Sequence, residues 1–326
     1  MRRRSTVGVV AAFIASPVAG HHSSVIFDTN SAVAFTGTVV RYDWTNPHVY
    51  IYVEATADTG DPVVWQLETD ATSILTRSGW TSESLTAGDE VVIRANPERN
   101  TERSHALLVS LATEDGIVLT ARSGGRAALV GAADLSGVWD GLRGTATRSF
   151  IYGALTEKGR TAQARYSESE NPVSDCVPFP LPSIVAAPYL NEIEIRADRI
   201  LIRSELFNVE RTIYMDGREH PTNGQRTNQG HSIGWWEGEV LVVDTTLFAN
   251  NRAGNRSGIA SGAEKHVVER FELNEDGTEV AIEFVVEDPE YLAEPMIGGI
   301  VWDHAPDREF EPFGCDPEIA KRYTFE

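Results

Sequence analysis

Four side chains suited to acid–base chemistry or charge stabilisation lie in strand-like runs of the C-terminal half: Arg211, His231, Asp244 and Glu269. Glu269 alternates with apolar residues, so the two-residue period of a strand predicts that it faces a core. The same alternation predicts that the other three side chains also point inward. Burial raises the pKa of a carboxyl group and suits it to general acid or base catalysis. The spacing therefore predicts a polar cluster inside an apolar β-domain, a common form of small-molecule site.

We expect each member of this cluster to have a distinct catalytic role. His231 and Glu269 would transfer protons, as in hydration, dehydration, isomerisation or hydrolysis. Asp244 would orient the imidazole, and Arg211 would stabilise negative charge. The alternative is a paired charge network that fixes the strand register and performs no reaction, so the sequence leaves open whether the protein is an enzyme. The residues expected to bind a small, mostly apolar molecule around the cluster are Tyr214, Trp235, Trp236 and His266.

Histidines near the N-terminus indicate a different chemistry. Cleavage after Gly20 would make His21 the first residue, whose amine and imidazole together chelate copper. His22, His48 or His105 would then supply a further imidazole. Cleavage one residue earlier would place a histidine at position three, which also creates a Cu(II) site. The alternative function is therefore a periplasmic copper-binding protein that uses His21, His22 and His48, whereas the leading hypothesis requires no cofactor.

The first twenty residues have the organisation of a secretory signal peptide. Arginines at positions 2–4 precede an apolar stretch, which ends in the small residues Val18-Ala19-Gly20. We therefore expect residues 1–20 to be removed and the protein to be periplasmic or secreted. No later segment has the roughly 18 consecutive apolar residues of a membrane-spanning helix, so we expect no membrane span.

The chain has two cysteines, Cys176 and Cys315. Export would place them in an oxidising compartment, where a disulfide is their expected state. Two buried thiols are the alternative. The sequence contains no Cys-x-x-Cys pair, which argues against a metal site built from cysteines.

Composition limits the possible partners. The 326 residues include 28 Lys and Arg against 48 Asp and Glu, which gives a formal net charge of -20. Clustered basic residues are needed to bind phosphate groups, so this balance argues against nucleic acid and anionic membranes as partners. A hydrophobic content of 41% is sufficient for folded cores. We therefore expect a folded protein with a small-molecule ligand.

A stretch of small residues at 126–133 predicts a linker between two β-domains. Residues 21–125 contain five strand-like runs, with one short helical segment, Ala71–Ser78, after the third. This order is typical of a small OB-like barrel. The predicted strands are Ala34–Tyr42, Val49–Glu54, Val63–Leu67, Glu90–Ala95 and Ala106–Leu111.

Residues 134–326 contain about nine strand-like runs separated mostly by turn residues. Sequential pairing of so many strands predicts a closed antiparallel barrel, with a sandwich as the alternative. The run Leu135-Ser136-Gly137-Val138-Trp139 resembles the start of lipocalin-like barrels, in which the tryptophan closes one end. The predicted strands extend from Glu192–Arg196 to Ile297–Trp302, with a last strand at Glu309–Phe313.

Two sets of motifs resemble uncharacterised bacterial families. The first set resembles an exported domain of unknown function through His21-His22-Ser23, Phe27-Asp28, Asn46-Pro47-His48-Val49 and Gly79-Trp80. The second set resembles another uncharacterised group through residues 211–221, Gly230-His231-Ser232, Trp236-Glu237-Gly238 and residues 242–245. Neither resemblance implies an activity, so the expected function depends on the individual residues.

Overall fold

The computed structural model describes residues 26–57, 60–121, 130–141, 149–167 and 170–320. These residues form two closed β-barrels, which confirms the predicted all-β fold. Buried and exposed side chains alternate along strands such as residues 90–97 and 279–287. This alternation places one face of each strand in a core and the other toward solvent.

The first barrel and its extension consist of β1 (Val33–Asp43), β2 (Tyr50–Thr56), β3 (Pro62–Glu68), helix α1 (Thr72–Arg77), β4 (Glu90–Pro97), β5 (His105–Thr113) and β6 (Val118–Thr120). Five strands close in the order β1-β2-β3-β5-β4, because β4 pairs with β1. β3 and β5 are parallel, and the other pairs in the ring are antiparallel. The helix lies between β3 and β4, as the predicted OB-like order requires.

The second barrel and its additions consist of β7 (Gly137–Asp140), β8 (Ser149–Ile151), α2 (Glu157–Arg165), β9 (Leu190–Ile195), β10 (Arg199–Ser204), β11 (Val209–Tyr214), β12 (His231–Glu237), β13 (Val240–Thr246), β14 (His266–Leu273), β15 (Glu279–Glu287), β16 (Met296–His304) and α3 (Pro317–Ala320). Nine of these strands, β7 and β9 to β16, close into a ring because β16 pairs with β7. β8 pairs with the other end of β16. β11 and β12 pair in parallel, which distinguishes this barrel from a simple antiparallel meander.

The last predicted strand, Glu309–Phe313, is wrong, because these residues are irregular. The backbone N–H of Glu311 donates instead to the carboxylate of Glu205, and this side-chain contact replaces strand pairing. β7 takes the ninth position in the ring. Its Trp139 is fully buried, and the indole N–H donates to Leu135 O. The tryptophan at the start of the domain therefore belongs to the core.

Large apolar side chains fill the second barrel. Phe271, Phe284 and Trp302 are at most 2% exposed. The segment at residues 181–187 packs against this core, and its Val185 O accepts the indole N–H of Trp302. Each fully buried apolar side chain of this size contributes about 1.5–3 kcal/mol, so the packed interior is the main source of stability.

Helix α1 joins the two barrels. Its Leu75 packs into the core of the first barrel, whereas Ile74 packs into the core of the second. Arg77, in the last turn of α1, donates hydrogen bonds of 2.9 and 3.0 Å to the fully buried carboxylate of Glu205. This paired, charge-assisted geometry fixes the orientation of the helix against the second barrel.

Cys176 and Cys315 form a disulfide, as predicted, although 139 residues separate them in the sequence. The bond anchors the C-terminal segment to the loop before β9. No helix among the described residues is long and apolar enough to cross a membrane.

Replacement of both cysteines by serine should lower the free energy of unfolding by about 2–4 kcal/mol, because the unfolded chain loses a cross-link that closes a long loop. Urea unfolding followed by tryptophan fluorescence measures this loss. Wild-type protein treated with dithiothreitol serves as the matched control and should lose a similar amount. Equal unfolding midpoints for the oxidised and reduced protein would contradict the prediction.

Candidate functional site

The strand register separates the four predicted catalytic residues into two groups. Val243 pairs with Glu269 across β13 and β14, and Asp244 pairs with Val268. Paired residues share a face of the sheet, so Glu269 and Asp244 lie on opposite faces. Val243 is fully buried, which identifies the face of Glu269 as the barrel interior. The expected single cluster inside the barrel is therefore wrong.

His231 and Asp244 lie on the outer face of the barrel. Ile233 pairs with Asp244 across β12 and β13, and His231 is two residues earlier on the same face. The side chain of Asp244 is 24% exposed. The prediction that Asp244 points inward was wrong. β13 carries apolar residues on both faces, so alternation alone does not identify which face is buried.

Arg211 and Glu269 form an ion pair inside the barrel, with Nη1 2.7 Å from Oε2. Arg211 is 5% exposed and Glu269 is fully buried. Burial raises the pKa of Glu269, and the positive charge of Arg211 opposes that shift. Neither group has a well-aligned hydrogen bond to another described residue, so their attraction is mainly Coulombic. This geometry is the one expected of a charge pair that fixes the strand register.

The outer face carries a connected row of titratable groups, which we call the imidazole–carboxylate chain: His231, His220, Asp244, His266 and Glu287. His220 Nδ1 lies 2.9 Å from His231 Nδ1, and His220 Nε2 lies 3.0 Å from Asp244 Oδ1. His266 Nε2 lies 3.0 Å from the same Asp244 oxygen. His266 Nδ1 lies 3.2 Å from Glu287 Oε2. One carboxylate oxygen therefore links two imidazoles.

The connection between β11 and β12 positions this chain. Parallel strands require the backbone to return to the same end of the sheet, and residues 215–230 form that crossover. The crossover brings His220 against the outer face and Arg218 over the ring of Tyr214, 3.8 Å from its centroid. Tyr214 in turn stacks against His231, with ring centroids 5.2 Å apart. The aromatic ring and the crossover thus hold the imidazole from two sides.

The hydrogen bonds of the imidazole–carboxylate chain limit which ring nitrogens carry protons. An ionised Asp244 only accepts hydrogen bonds, so His220 and His266 each donate from Nε2. When both rings are uncharged, His220 accepts at Nδ1 and His231 donates its own Nδ1–H. The lone pair of His231 consequently lies on Nε2, where this imidazole can act as a general base.

Burial and charge give His231 and His266, the first and last imidazoles of the imidazole–carboxylate chain, different protonation states. Burial is the main cause that lowers the pKa of His231, and the positive charge of Arg218 lowers it further. The hydrogen bond to Asp244 raises the pKa of His266 to about 9. Burial disfavours the charge on Asp244, but hydrogen bonds from both partner histidines outweigh it and lower the pKa. At neutral pH, His231 is therefore an uncharged base and His266 a cation.

Sequence reasoning missed His220, which lies in the crossover and follows no strand alternation. The useful signal would have been the length of the crossover between β11 and β12, because a connection of that size permits parallel pairing of the two strands. Of the predicted ligand-binding residues, Tyr214 and His266 contact the imidazole–carboxylate chain. Trp235 and Trp236 lie further along β12 and are 41% and 44% exposed.

The first barrel holds a second titratable cluster, which we call the first-barrel cluster: His48, Glu68, Glu98 and His105. His48 Nδ1 lies 3.1 Å from Glu68 Oε1, and His105 Nδ1 lies 2.9 Å from Glu98 Oε2. Glu68 also approaches the second imidazole, with Oε2 3.7 Å from His105 Nε2. Carboxylates and imidazoles thus lie next to one another in this cluster, as they do in the imidazole–carboxylate chain of the second barrel.

The expected copper ligands lie only partly within the described residues. His48 belongs to the first-barrel cluster, whereas His21 and His22 lie outside the residues that the structure describes. Across the described ranges, no three His, Cys, Asp or Glu side chains are arranged to hold a metal ion. Copper binding by these histidines stays a prediction.

Arg211→Met should lower the free energy of unfolding by about 3–5 kcal/mol, because it leaves the buried carboxylate of Glu269 without its partner. The double variant Arg211→Met/Glu269→Leu should recover most of this loss. Urea unfolding at pH 7 measures both. Arg203→Met is the matched control, since Arg203 forms ion pairs on a partly exposed face and should cost less than about 1 kcal/mol. A single variant as stable as wild type would rule out the buried pair.

The pKa of His266 should be about 9 in the folded protein and should fall toward 6.5 in Asp244→Asn, which removes its main hydrogen-bond partner. Because the folded-state pKa lies above the ordinary value, the stabilisation is complete below about pH 6.5 and is lost as the pH rises through about 9. NMR titration of the imidazole measures the pKa, with Glu237→Gln as a control on the same sheet. An unchanged pKa in Asp244→Asn would show that Asp244 is not the cause.

Comparison with known proteins bears on the first part of the chain. A search of curated proteins finds no match. One family model matches a segment that begins in the predicted signal peptide and ends within β5, so the match covers most of the first barrel. The resemblance predicted from the N-terminal motifs is thereby confirmed: residues 9–107 match a family of unknown function (DUF6152).

Proposed function

We propose that this protein is exported and that its second barrel binds a small, mostly apolar molecule on the outer wall, where His231 exchanges a proton with it. One observation carries this proposal: His220 links Asp244 Oδ1 to His231 Nδ1 through contacts of 3.0 and 2.9 Å. When both rings are uncharged, these contacts leave the lone pair of His231 on Nε2. A neutral and oriented imidazole is the most common general base in enzymes.

Apolar side chains surround this base. Ile233 and Trp235 follow His231 at two-residue intervals on β12 and therefore share its face. Trp235 is 41% exposed, and Tyr214 stacks against the imidazole itself. An apolar molecule that rests on these side chains would place its reacting group beside His231 Nε2.

The proposed roles differ from those expected of an interior site. Asp244 orients His231 through His220 and does so across the outer face. Arg211 and Glu269 lie on the other face of the sheet, so they maintain the barrel and do not touch the bound molecule. The proposed step is removal of a proton by His231, which suits hydrolysis, hydration or dehydration, and isomerisation.

Export rests on two features of the chain. Residues 1–20 have the pattern of a signal peptide, and such segments direct proteins out of the cytoplasm. The Cys176–Cys315 disulfide is the second feature, because disulfides persist mainly in oxidising compartments such as the periplasm. Both support a periplasmic or secreted location.

The tautomer of His231 provides a direct test that needs no substrate. We expect the Nδ1–H form at pH 7, because His220 accepts that proton, and a pKa below the ordinary 6.5. Long-range proton–nitrogen correlation NMR reports both quantities. His220→Ala removes the acceptor and should abolish the tautomer preference. A wild-type His231 found mainly as the Nε2–H form would refute the proposal.

Hydrolysis of p-nitrophenyl butyrate, a small apolar ester, serves as the activity probe for the same site. The rate should rise with pH to a plateau, with its midpoint below the ordinary imidazole pKa of 6.5, as His231 loses its proton. His231→Gln should lower the plateau by roughly 10²–10⁴-fold, the contribution typical of a general base. His304→Gln alters a histidine on β16 and serves as the control. Equal rates for wild type and His231→Gln would exclude His231 as the base.

A further inference from the structure

The two histidines that meet at the proton-transfer site have different neighbours. His220 Nε2 lies 3.0 Å from Asp244 Oδ1, so a positive charge on the His220 ring would form a charge-assisted hydrogen bond with this carboxylate. Within the ranges that the structure describes, His231 has no carboxylate partner, and its ring contacts those of Tyr214 and His220. A positive charge is therefore better compensated on His220 than on His231.

One hydrogen bond joins the two rings directly. His220 Nδ1 and His231 Nδ1 lie 2.9 Å apart, so one of these nitrogens donates a proton and the other accepts it. If the proton crosses from His231 to His220, donor and acceptor exchange roles. The contact between the rings therefore permits two arrangements, which differ in the ring that carries the shared proton.

We propose that His231 and His220 form a two-imidazole relay in which the proton removed from the bound molecule leaves its positive charge on His220. His231 Nε2 gains the proton of the bound molecule, and the electron pair of the broken bond stays on that molecule. The Nδ1–H bond of His231 then breaks as an Nδ1–H bond of His220 forms. His231 ends uncharged with its proton on Nε2, and His220 becomes an imidazolium beside Asp244. The relay rests on the proposed function, since it needs His231 as the base.

The groups that face His220 balance the charge it would gain. Asp244 Oδ1 also accepts from His266 Nε2 at 3.0 Å, so the two imidazoles share one carboxylate oxygen. Glu287 Oε2 lies 3.2 Å from the other ring nitrogen of His266 and supplies a second carboxylate. With His220 protonated, cations and carboxylates alternate along the imidazole–carboxylate chain as His220, Asp244, His266 and Glu287. Each cation then has a carboxylate neighbour.

The surroundings of His231 disfavour a charge on its own ring. Burial lowers the pKa of His231, and the positive charge of Arg218 lowers it further. Asp216 holds the Arg218 guanidinium through hydrogen bonds of 2.9 Å from Nε and 2.5 Å from Nη2. The guanidinium lies over Tyr214, whose ring stacks against His231. Burial and this fixed positive charge therefore both favour transfer of the proton from His231 to His220.

Nitrogen NMR of the full chain, with nitrogen-15 in its histidines, tests the relay without a substrate. At pH 7 we expect His231 as the Nδ1–H form. As the pH falls, the first proton bound by the two rings should leave His220 protonated on both nitrogens and His231 uncharged in the Nε2–H form. A His231 imidazolium that forms first, beside a His220 protonated only on Nε2, would overturn the relay and leave the proposed base intact.

His220→Asn separates proton uptake from orientation. The Asn side-chain oxygen can accept the Nδ1–H of His231, but an amide takes up no proton in this pH range. In this variant we expect His231 to become an imidazolium as the pH falls, without an uncharged Nε2–H form. The wild-type change of tautomer in His220→Asn would overturn the relay, because it would require no proton on residue 220. The side chain of His220 is 21% exposed, and circular dichroism establishes that the variant folds.

His266→Gln tests the charge balance of the relay. It removes the cation that shares Asp244 Oδ1 with His220. The change of tautomer at His231 should therefore move to higher pH by about 1 unit, since a nearby like charge disfavours protonation. A change of tautomer at the wild-type pH would contradict the role of Asp244 in holding the proton on His220.

Hydrolysis of p-nitrophenyl butyrate distinguishes failure of the relay from failure of the proposed function. His220→Asn should lower the plateau rate by roughly 10–100-fold, a part of the 10²–10⁴-fold that a general base contributes. A wild-type plateau in His220→Asn, with loss in His231→Gln, would overturn the relay alone. Equal rates for wild type and His231→Gln would refute the proposed base and the relay with it.

Discussion

Parallel pairing of β11 with β12 is the constraint on which the second barrel and its outer site depend. Nine strands cannot close with antiparallel neighbours alone, because strand direction alternates and an odd ring leaves one mismatch. The mismatch lies between β11 and β12, so the chain must return through residues 215–230. Apolar side chains fill the interior, and the crossover therefore passes outside, where it brings His220 to Asp244.

A single sheet keeps two kinds of charged group apart. Glu269 and Asp244 occupy neighbouring register positions on β14 and β13, yet they face opposite directions. Inside the barrel, burial dominates and raises the pKa of Glu269, which is matched by one arginine. On the outer face, two imidazoles donate to Asp244 and keep it ionised. The inner pair suits structural stability, whereas the outer groups are accessible and can exchange protons.

Sequence alternation predicted the strands well and the faces only in part. Glu269 was placed correctly, because His266 and Arg270 mark the other face of β14 as polar. β13 offers no such contrast, since Leu241 and Val243 are as apolar as Val240 and Val242 and the face of Asp244 is ambiguous. His220 was beyond prediction, because its position depends on which strands pair across the crossover. Local periodicity predicts elements, but tertiary pairing decides which side chains meet.

Asn46 connects the two barrels and thereby fixes the position of His48, which follows it in the Asn46-Pro47-His48-Val49 motif. Its side chain accepts the N–H of Thr72 in the first turn of α1, and its backbone carbonyl accepts the N–H of Asp316. Asp316 follows Cys315, which the disulfide anchors to the second barrel. His48, two residues after Asn46, is thereby fixed both to α1 and to the C-terminal segment. The first-barrel cluster is built on a backbone that the second barrel holds in place, so the two domains form one structural unit around it.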